Sequence, residues 1–211
     1  TSFREAAQKM PGEAIACLAD RKKQFETVRQ DLAATQFAEV EVDLETGQVH
    51  VVNLATAVDL GVAIHPLQAE GQAEGAVAQS LGYALSEEML LDSSGRMLNP
   101  GFLDYKMFSA KDMPKLTTIL VETEEPLGPY GAKSIAEVPV NAPAPAVANA
   151  IFHAIGVRFR KLPIRPEDVL RALREKETAR GQASDASPSS VFGRPEKSGK
   201  RARKKVCLPR R

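Results

Sequence analysis

A loop dense in proline and glycine carries the carboxylate with the clearest chemical potential in this chain. The loop spans residues 125–139, between a predicted strand and a predicted helix, and its acid Glu137 stands between Ala136 and Val138. An acid set among apolar neighbours is desolvated if it is buried, which raises its pKa toward the range of a general base. On spacing alone, the commoner alternative is a solvent-exposed glutamate ahead of a helix, because most single carboxylates are surface groups.

The same loop does not fit the P-loop pattern for binding phosphate. That pattern needs a glycine directly before the lysine and a second glycine five residues earlier. Ala132 and Leu127 occupy these two positions ahead of Lys133. We therefore exclude a nucleotide-binding P-loop.

A glutamine flanked by glycines is the second candidate for a ligand contact. It is Gln72, which follows Gly71 and precedes Gly75 at the start of a helix predicted over Glu70–Met89. Because neither glycine has a side chain, another molecule can approach this helix face closely and meet the amide of Gln72.

The histidines and cysteines are too scattered to form a site. His50, His65 and His153 lie far apart, whereas a metal site needs clustered ligands, so we predict no metal bound by protein side chains. Cys17 and Cys207 are 190 positions apart, which fits neither a disulfide framework nor a zinc site. A reducing, cytoplasmic location is therefore the expectation.

The formal net charge of +1 combines two parts of opposite charge. Residues 194–211 contain nine lysines or arginines and one acid, so they carry +8 while residues 1–193 carry −7. An acidic body argues against a nucleic-acid-binding core. The basic end fits either a handle for nucleic acid or an acidic partner, or a solvated extension without function, and basic runs are often the latter.

The chain has no feature of a membrane protein or of a secretory leader. No stretch approaches the roughly 18 consecutive apolar residues of a spanning helix, and the first residues show no basic-then-apolar pattern. The sequence begins at Thr1 without an initiator methionine. We therefore expect no membrane association and a piece of a longer polypeptide.

Loosely alternating strands and helices must position these residues. Residues 37–43 and 49–55 alternate in polarity on either side of a glycine-containing turn, which predicts a β-hairpin. A turn is also expected at Asp92–Arg96. The other predicted elements are a short helix before Pro11, a helix over Glu13–Leu32, the helix Glu70–Met89, a strand over Leu116–Glu124, a helix from an N-cap at Asn141 through Ala154 with Gly156 as its stop, a strand over Val157–Leu162, and a helix from Pro166 to Glu177.

This order predicts an α+β fold, a mixed sheet with packed helices. Neither a repeat nor a clean βαβ period appears, which argues against a doubly wound sheet. We predict one domain over residues 1–176 and a disordered basic tail over residues 177–211. The tail is rich in Ala, Ser, Pro, Gly and basic residues, and it cannot bury enough apolar surface to offset the entropy of ordering.

Four ordered segments resemble the signatures of the molybdenum hydroxylases, the xanthine dehydrogenase and aldehyde oxidase family. Residues 131–137 read Gly-Ala-Lys-Ser-Ile-Ala-Glu, which is similar to the family's Gly-Ala-Lys-Gly-Val-Gly-Glu. The other three segments are residues 59–75, 99–106 and 162–167. The resemblance runs from Phe37 to Leu173 and looks closest to xanthine dehydrogenase molybdenum subunits.

The resemblance implies that the chain is the C-terminal part of a molybdopterin-binding domain. In the family, the last glutamate of the signature is the general base for hydroxylation of a purine, N-heterocycle or aldehyde with water as the oxygen source, and Glu137 matches it. The implied cofactor is molybdenum–molybdopterin, whose metal has no protein ligand. The residues implied to contact it are Gln72, Gly71, Gly131, Ala132, Lys133 and Ser134.

The resemblance also implies partners, because only the last part of a molybdenum subunit is matched. These are the polypeptide that carries the rest of that subunit, iron–sulfur and flavin (FAD) subunits or domains, and a small-molecule substrate. The chain alone would be incomplete as an enzyme. The competing hypothesis is a non-catalytic remnant or interaction module with a basic tail.

Overall fold

The computed structural model describes residues 2–9, 31–185 and 203–205. The chain divides into two compact units, residues 1–31 and 32–211. The first unit contains helix α1 (Phe3–Gln8), the short helix expected before Pro11. The helix predicted over Glu13–Leu32 lies outside the described residues except for its last two positions, which are not helical.

The second unit is built on a mixed four-stranded sheet in the order β3-β2-β1-β4. Strands β1 (Ala34–Asp43) and β2 (Val49–Asp59) pair in antiparallel fashion and form the predicted hairpin. Strand β3 (Lys115–Val121) pairs parallel with β2, and the short β4 (Arg203–Lys205) pairs antiparallel with β1. One parallel and two antiparallel pairs confirm the predicted α+β class with a mixed sheet.

The described residues of this unit form three α-helices, α2 (Pro66–Leu85), α3 (Pro143–Ile155) and α4 (Pro166–Asp185). Helix α2 begins four residues before the predicted start. The reason is local, because Pro66 occupies the first turn and Nδ1 of His65 accepts a hydrogen bond from the Gln68 N–H at 3.2 Å.

A single apolar core joins the sheet to these helices. The hairpin contributes alternate residues because successive side chains of a strand point to opposite faces. The core residues with no exposed surface are Val40, Val42, Val77, Leu81, Val147, Ile151 and Val169. This packing holds α2 against β2, and the candidate site is built from the end of β2 and the first turns of α2.

The ends of α3 differ partly from expectation. Gly156 stops the helix as predicted, in the left-handed conformation with φ of 69° and its N–H bonded to the Phe152 carbonyl. The N-cap, however, is Ala142, which makes no side-chain cap bond. Asn141 instead donates from Nδ2 to the Glu137 carbonyl at 3.3 Å, so the prediction of an Asn141 cap was wrong.

The strand predicted over Val157–Leu162 is not formed. This segment is the connection from α3 to α4 and pairs with no strand of the described residues. Its Arg158 guanidinium lies 4.0 Å from the centre of the Phe152 ring, against the preceding helix. Alternating polarity along these residues was therefore not sufficient to predict a paired strand.

The structure has regular elements at two places within the tail that was predicted to be disordered. Helix α4 continues to Asp185, and Thr178 donates a hydrogen bond to the Arg174 carbonyl at 2.9 Å. Strand β4 also falls within the predicted tail. The rest of the tail, residues 186–202 and 206–211, lies outside the described residues, and the domain boundary at 176 stays a prediction.

An irregular segment, residues 86–114, connects α2 to β3. It contains the predicted turn, in which Asp92 Oδ1 accepts from the Ser94 and Arg96 N–H groups, and a bridge between Leu91 and Met97. Buried Asn99 holds the turn in place, because its side chain accepts a hydrogen bond from the Leu90 N–H and donates one to the Glu88 carbonyl. The exposed large apolar residues of the segment are Met89, Leu90, Leu91, Leu98, Phe102, Leu103 and Met107.

In the described ranges, no helix has both the length and the apolar character that crossing a bilayer requires.

Candidate functional site

The proline- and glycine-rich loop is held against the chain that leaves β2. The Val62 N–H donates to the Gly131 carbonyl at 2.9 Å, and the Lys133 N–H donates to the Leu60 carbonyl at 2.7 Å. Gly61 bridges to Ala132 between these two bonds. The segment around Lys133 thus acts as a short added strand beside residues 60–62.

Gly61 is required by this close approach. Its φ is 69°, a conformation that side chains disfavour. A Cβ there would overlap the Gly131 carbonyl oxygen and lie 2.9 Å from the backbone nitrogen of Lys133. The loop could not approach any other residue type so closely.

The loop reverses direction through two consecutive left-handed residues. Gly131 has φ of 78°, and a Cβ on it would lie 2.9 Å from Val62 Cγ2. Tyr130 has φ of 56°, which is uncommon for a residue with a side chain, and the residue is 90% exposed. Glycine at 131 therefore serves the turn, whatever else it contacts.

The side chain of Lys133 points to the end of β2. Its Nζ lies 2.7 Å from Asp59 Oδ2, and the two side chains are only 10% and 18% exposed. Asp59 Oδ1 also accepts hydrogen bonds from the Thr123 hydroxyl at 2.6 Å and the Gly61 N–H at 3.2 Å. Burial alone would raise the pKa of Asp59, but these hydrogen bonds and the positive charge of Lys133 outweigh it and lower the pKa.

This pKa shift predicts acid sensitivity. A carboxyl whose pKa is lowered by folding stabilises the fold above its unfolded pKa of about 3.9, and the stabilisation is lost as the pH falls through the lower folded pKa. We expect the free energy of unfolding of Asp59→Asn to fall less steeply below about pH 4 than that of the parent chain. Urea unfolding at stepped pH values measures both slopes.

Asp112 provides the comparison for that measurement. Its pKa is also lowered, first by the hydrogen bond from the Ser109 hydroxyl, but it lies in the exposed segment before β3. Asp112→Asn should leave the contribution of Asp59 in place. Identical acid slopes for Asp59→Asn and the parent chain would contradict the prediction.

Gln72 lies beside the loop, in the second turn of α2 rather than at its start. The side chain is exposed, and its Nε2 lies 3.5 Å from the Ala136 carbonyl. Gly71 and Gly75 are exposed too, and a Cβ on either would meet nothing within 4 Å. The helix therefore presents an amide and a bare face next to the loop.

A cavity of about 400 Å³ lies between α2, the loop and the end of β2. Its lining is apolar over much of its area and includes four side chains with polar ends, one of which is the capping His65. The apolar lining residues include Val62, Ile64 and Ile135, and the polar ones include Gln68, Gln72 and Lys133.

Glu137 lies at the edge of this cavity rather than in its lining. It directly follows Ala136, which does line the cavity, and its side chain is exposed, as is that of Ser134. Its backbone carbonyl is held by Asn141. The described residues therefore fix the backbone at Glu137 without burying its carboxylate.

The other sequence candidates are spread over the fold. His65 caps α2, His50 lies on β2 and His153 lies on α3, and both cysteines fall outside the described residues. Among the described residues, no three His, Cys, Asp or Glu side chains are grouped so that they could hold a metal ion.

Sequence reasoning placed Asp59 in a motif but assigned it no role. Its partner Lys133 is 74 positions away, and neither neighbourhood indicates the pairing. The left-handed Tyr130 was also missed, since its residue type gives no signal. The cap at His65 could have been found, because a proline follows it directly.

Three comparisons place the chain among known proteins. A family model described as molybdopterin cofactor-binding domain matches residues 7–114, slightly more than half of the chain. The putative xanthine dehydrogenase molybdenum-binding subunit XdhA of Escherichia coli is 39% identical over 132 residues, covering 62% of this chain and 18% of that protein. Subunit gamma of the 6-hydroxypseudooxynicotine dehydrogenase complex of Paenarthrobacter nicotinovorans is 36% identical over 134 residues, covering 62% of this chain and 17% of that subunit.

The fold is similar to a solved structure of the aldehyde oxidoreductase from Desulfovibrio gigas. The TM-score is 0.62 at 36% identity, and the match covers 68% of this chain and 15% of that one. The chain thus spans less than a fifth of the length of the relatives it matches.

Proposed function

This chain belongs to the molybdopterin cofactor-binding domain family of the xanthine dehydrogenase-like molybdenum hydroxylases, and on that premise we propose that it supplies the catalytic base to such an enzyme. The proposed base is Glu137. The proposed contacts to molybdopterin, the cofactor of the family, are Gln72 with Gly71 and the loop residues Gly131, Ala132, Lys133 and Ser134.

One observation carries this proposal. Gln72 and Glu137 are 65 positions apart in sequence. The Gln72 Nε2 nevertheless lies 3.5 Å from the carbonyl of Ala136, the residue before Glu137. Both border the same cavity of about 400 Å³. Two segments that each resemble a family signature therefore converge on one site.

The cavity fits part of a polar, planar cofactor. Its volume is within the range of about 300–1,000 Å³ for small-molecule sites, and such sites combine apolar walls with a few converging polar groups. The amide of Gln72 can both donate and accept hydrogen bonds. The open face at Gly71 and Gly75 leaves space beside that amide for a ligand or another polypeptide.

The molybdenum–molybdopterin group, when bound, supplies the centre at which a substrate C–H becomes C–OH with oxygen from water, releasing two electrons and two protons. Glu137 would accept one of these protons. A carboxylate performs this role best when water is excluded around it. Because the described residues leave Glu137 exposed, the shelter would come from the part of the enzyme outside this chain.

The proposed substrates and partners follow the matched relatives. Their names include a xanthine dehydrogenase, a 6-hydroxypseudooxynicotine dehydrogenase and an aldehyde oxidoreductase, so the substrate class is a purine, N-heterocycle or aldehyde. Two of the names denote subunits. The proposed partners are the rest of the molybdenum subunit and iron–sulfur and FAD components, in the cytoplasm.

Purification from the native host tests the proposal against the remnant hypothesis. A complex that contains molybdenum and a second large polypeptide supports the enzyme. A stable, metal-free monomer in cells whose other molybdenum enzymes are loaded supports a non-catalytic remnant.

Gln72→Ala tests the cofactor contact separately. One lost hydrogen bond of about 0.5–1.5 kcal/mol corresponds to roughly 2- to 10-fold weaker cofactor retention. We expect lower molybdenum content per complex after dialysis, measured by elemental analysis. Gln79→Ala is the matched control, since Gln79 is an exposed glutamine of the same helix outside the cavity lining. Equal molybdenum content in the two variants would remove Gln72 from the contacts.

A further inference from the structure

The ion pair between Asp59 and Lys133 connects two parts of the chain that backbone bonds also connect. The Nζ–Oδ2 distance is 2.7 Å, and both side chains are largely shielded from water. Thr123, just after β3, donates to the other oxygen of the same carboxylate. Asp59 therefore joins the ends of β2 and β3 to the loop.

The backbone bond of Lys133 reinforces this connection. Its N–H donates to the Leu60 carbonyl at 2.7 Å, one residue beyond Asp59. A side-chain pair and a main-chain bond at adjacent residues restrict both the position and the direction of the chain. Lys133 is thus a fixed point at the start of the segment that leads to Glu137.

A second fixed point follows that segment. Pro139 is fully buried, and its carbonyl lies 3.4 Å from Nε2 of Gln36 on β1. The next carbonyl, that of Val140, accepts from the Tyr83 hydroxyl of α2 at 2.8 Å. The five residues 134–138 therefore span two anchored ends.

Glu137 has little burial of its own to fix its place. The side chains of Ser134, Ala136 and Glu137 are exposed. The position of the carboxylate therefore depends on where the two ends are held, together with the hydrogen bond that the Glu137 carbonyl accepts from Asn141. Of the two anchors, the one at Lys133 depends on a charge pair.

The geometry points to the paired side chains of Asp59 and Lys133 as positioning groups for Glu137, acting through the loop. This inference rests on the proposed function of Glu137. It assigns the ammonium of Lys133 to Asp59, so the cofactor contact proposed for this residue would be made by its other atoms, which line the cavity. A displacement of about 1 Å at a reacting group can cost around 100-fold in rate, so such an anchor matters to turnover.

Amide hydrogen exchange on the full chain tests the anchor without any cofactor. Lys133→Met should speed exchange at residues 131–137 by about tenfold or more, because the loop opens more often once the pair is broken. Lys115→Met is the matched control, since Lys115 is an exposed lysine at the start of β3. Lys133→Arg keeps the charge and should show a smaller effect.

The double variant Asp59→Asn/Lys133→Met guards against a folding defect. It leaves no unpaired charge in the shielded site, so it should fold even if the single variants are unstable. Faster loop exchange in this variant supports the anchor. Exchange equal to that of Lys115→Met overturns it.

Kinetics of the assembled enzyme then separate positioning from simple stability. Lys133→Met should lower kcat by about 10- to 100-fold with little change in KM, and Lys133→Arg should recover part of the loss. Faster exchange with unchanged kcat would show a purely structural pair and overturn the positioning role. If Glu137→Gln leaves kcat unchanged, the proposed function fails, while the exchange result still decides whether the pair holds the loop.

Discussion

Replacing Glu137 with glutamine should lower kcat of the assembled enzyme by about 10²- to 10⁴-fold, the usual contribution of a positioned acid or base. Glutamine keeps the shape of the side chain but cannot accept the proton. KM should change little, because the lost interaction belongs to the transition state rather than to substrate binding. Steady-state kinetics with xanthine and with an aromatic aldehyde would measure both quantities.

Glu124→Gln is the matched control for that experiment. Glu124 is an exposed glutamate directly before the loop and does not line the cavity. It should leave kcat within about twofold of the parent enzyme, since isolated surface changes rarely exceed a few tenths of a kcal/mol. Molybdenum content must be the same in both variants. Parent-like turnover in Glu137→Gln at full loading would refute the catalytic assignment.

Gly61→Ala should be the most disruptive single methyl addition near the site. The left-handed backbone costs a side chain about 1–2 kcal/mol, and overlap with a backbone oxygen adds about 1–3 kcal/mol. We therefore expect the free energy of unfolding to fall by about 2–5 kcal/mol, or the loop to detach from residues 60–62. Urea unfolding measures the first outcome and amide exchange at Lys133 the second.

Gly95→Ala isolates the contribution of the close approach. Gly95 also has a left-handed backbone, with φ of 81°, but a Cβ on it would meet nothing within 4 Å. Gly95→Ala should lower the free energy of unfolding only by the cost of the left-handed backbone, about 1–2 kcal/mol. Equal losses in the two variants, with the loop still attached, would show that the contact at Gly61 is easily relieved.

The parts of the fold that the sequence predicts well are determined by neighbouring residues. The hairpin of β1 and β2 needs only alternating polarity and a turn, and residues 37–55 contain both. The end of α3 at Gly156 follows from a residue that tolerates the left-handed conformation. Such features do not depend on the rest of the molecule.

The wrong predictions concern a strand and a helix cap. Residues 157–162 alternate like a strand, but they pair with none of the described strands. Asn141 has the right residue type for a cap, yet it bonds to the Glu137 carbonyl instead. In both cases the local residue pattern is compatible with more than one structure, so it does not decide the outcome by itself.

The candidate site shows the same division. Motif resemblance proposed Glu137 and Gln72 as candidates, and the structure adds that their segments meet at one cavity. The pairing of Lys133 with Asp59 was beyond the sequence, because a lysine beside glycines fits an anion contact and an ion pair equally well. Only the fold shows which acid lies within reach.

The irregular segment between α2 and β3 has a practical consequence for anyone handling this polypeptide by itself. Phe102 is 91% exposed and Leu103 is 80% exposed, and fully covering a side chain of either type gains about 1.5–3 kcal/mol. Two copies that contact each other through these exposed residues would gain the same free energy of burial. Concentrated solutions of the isolated polypeptide should therefore aggregate and become turbid. Co-expression with a chain that covers these exposed residues is the better route to crystals.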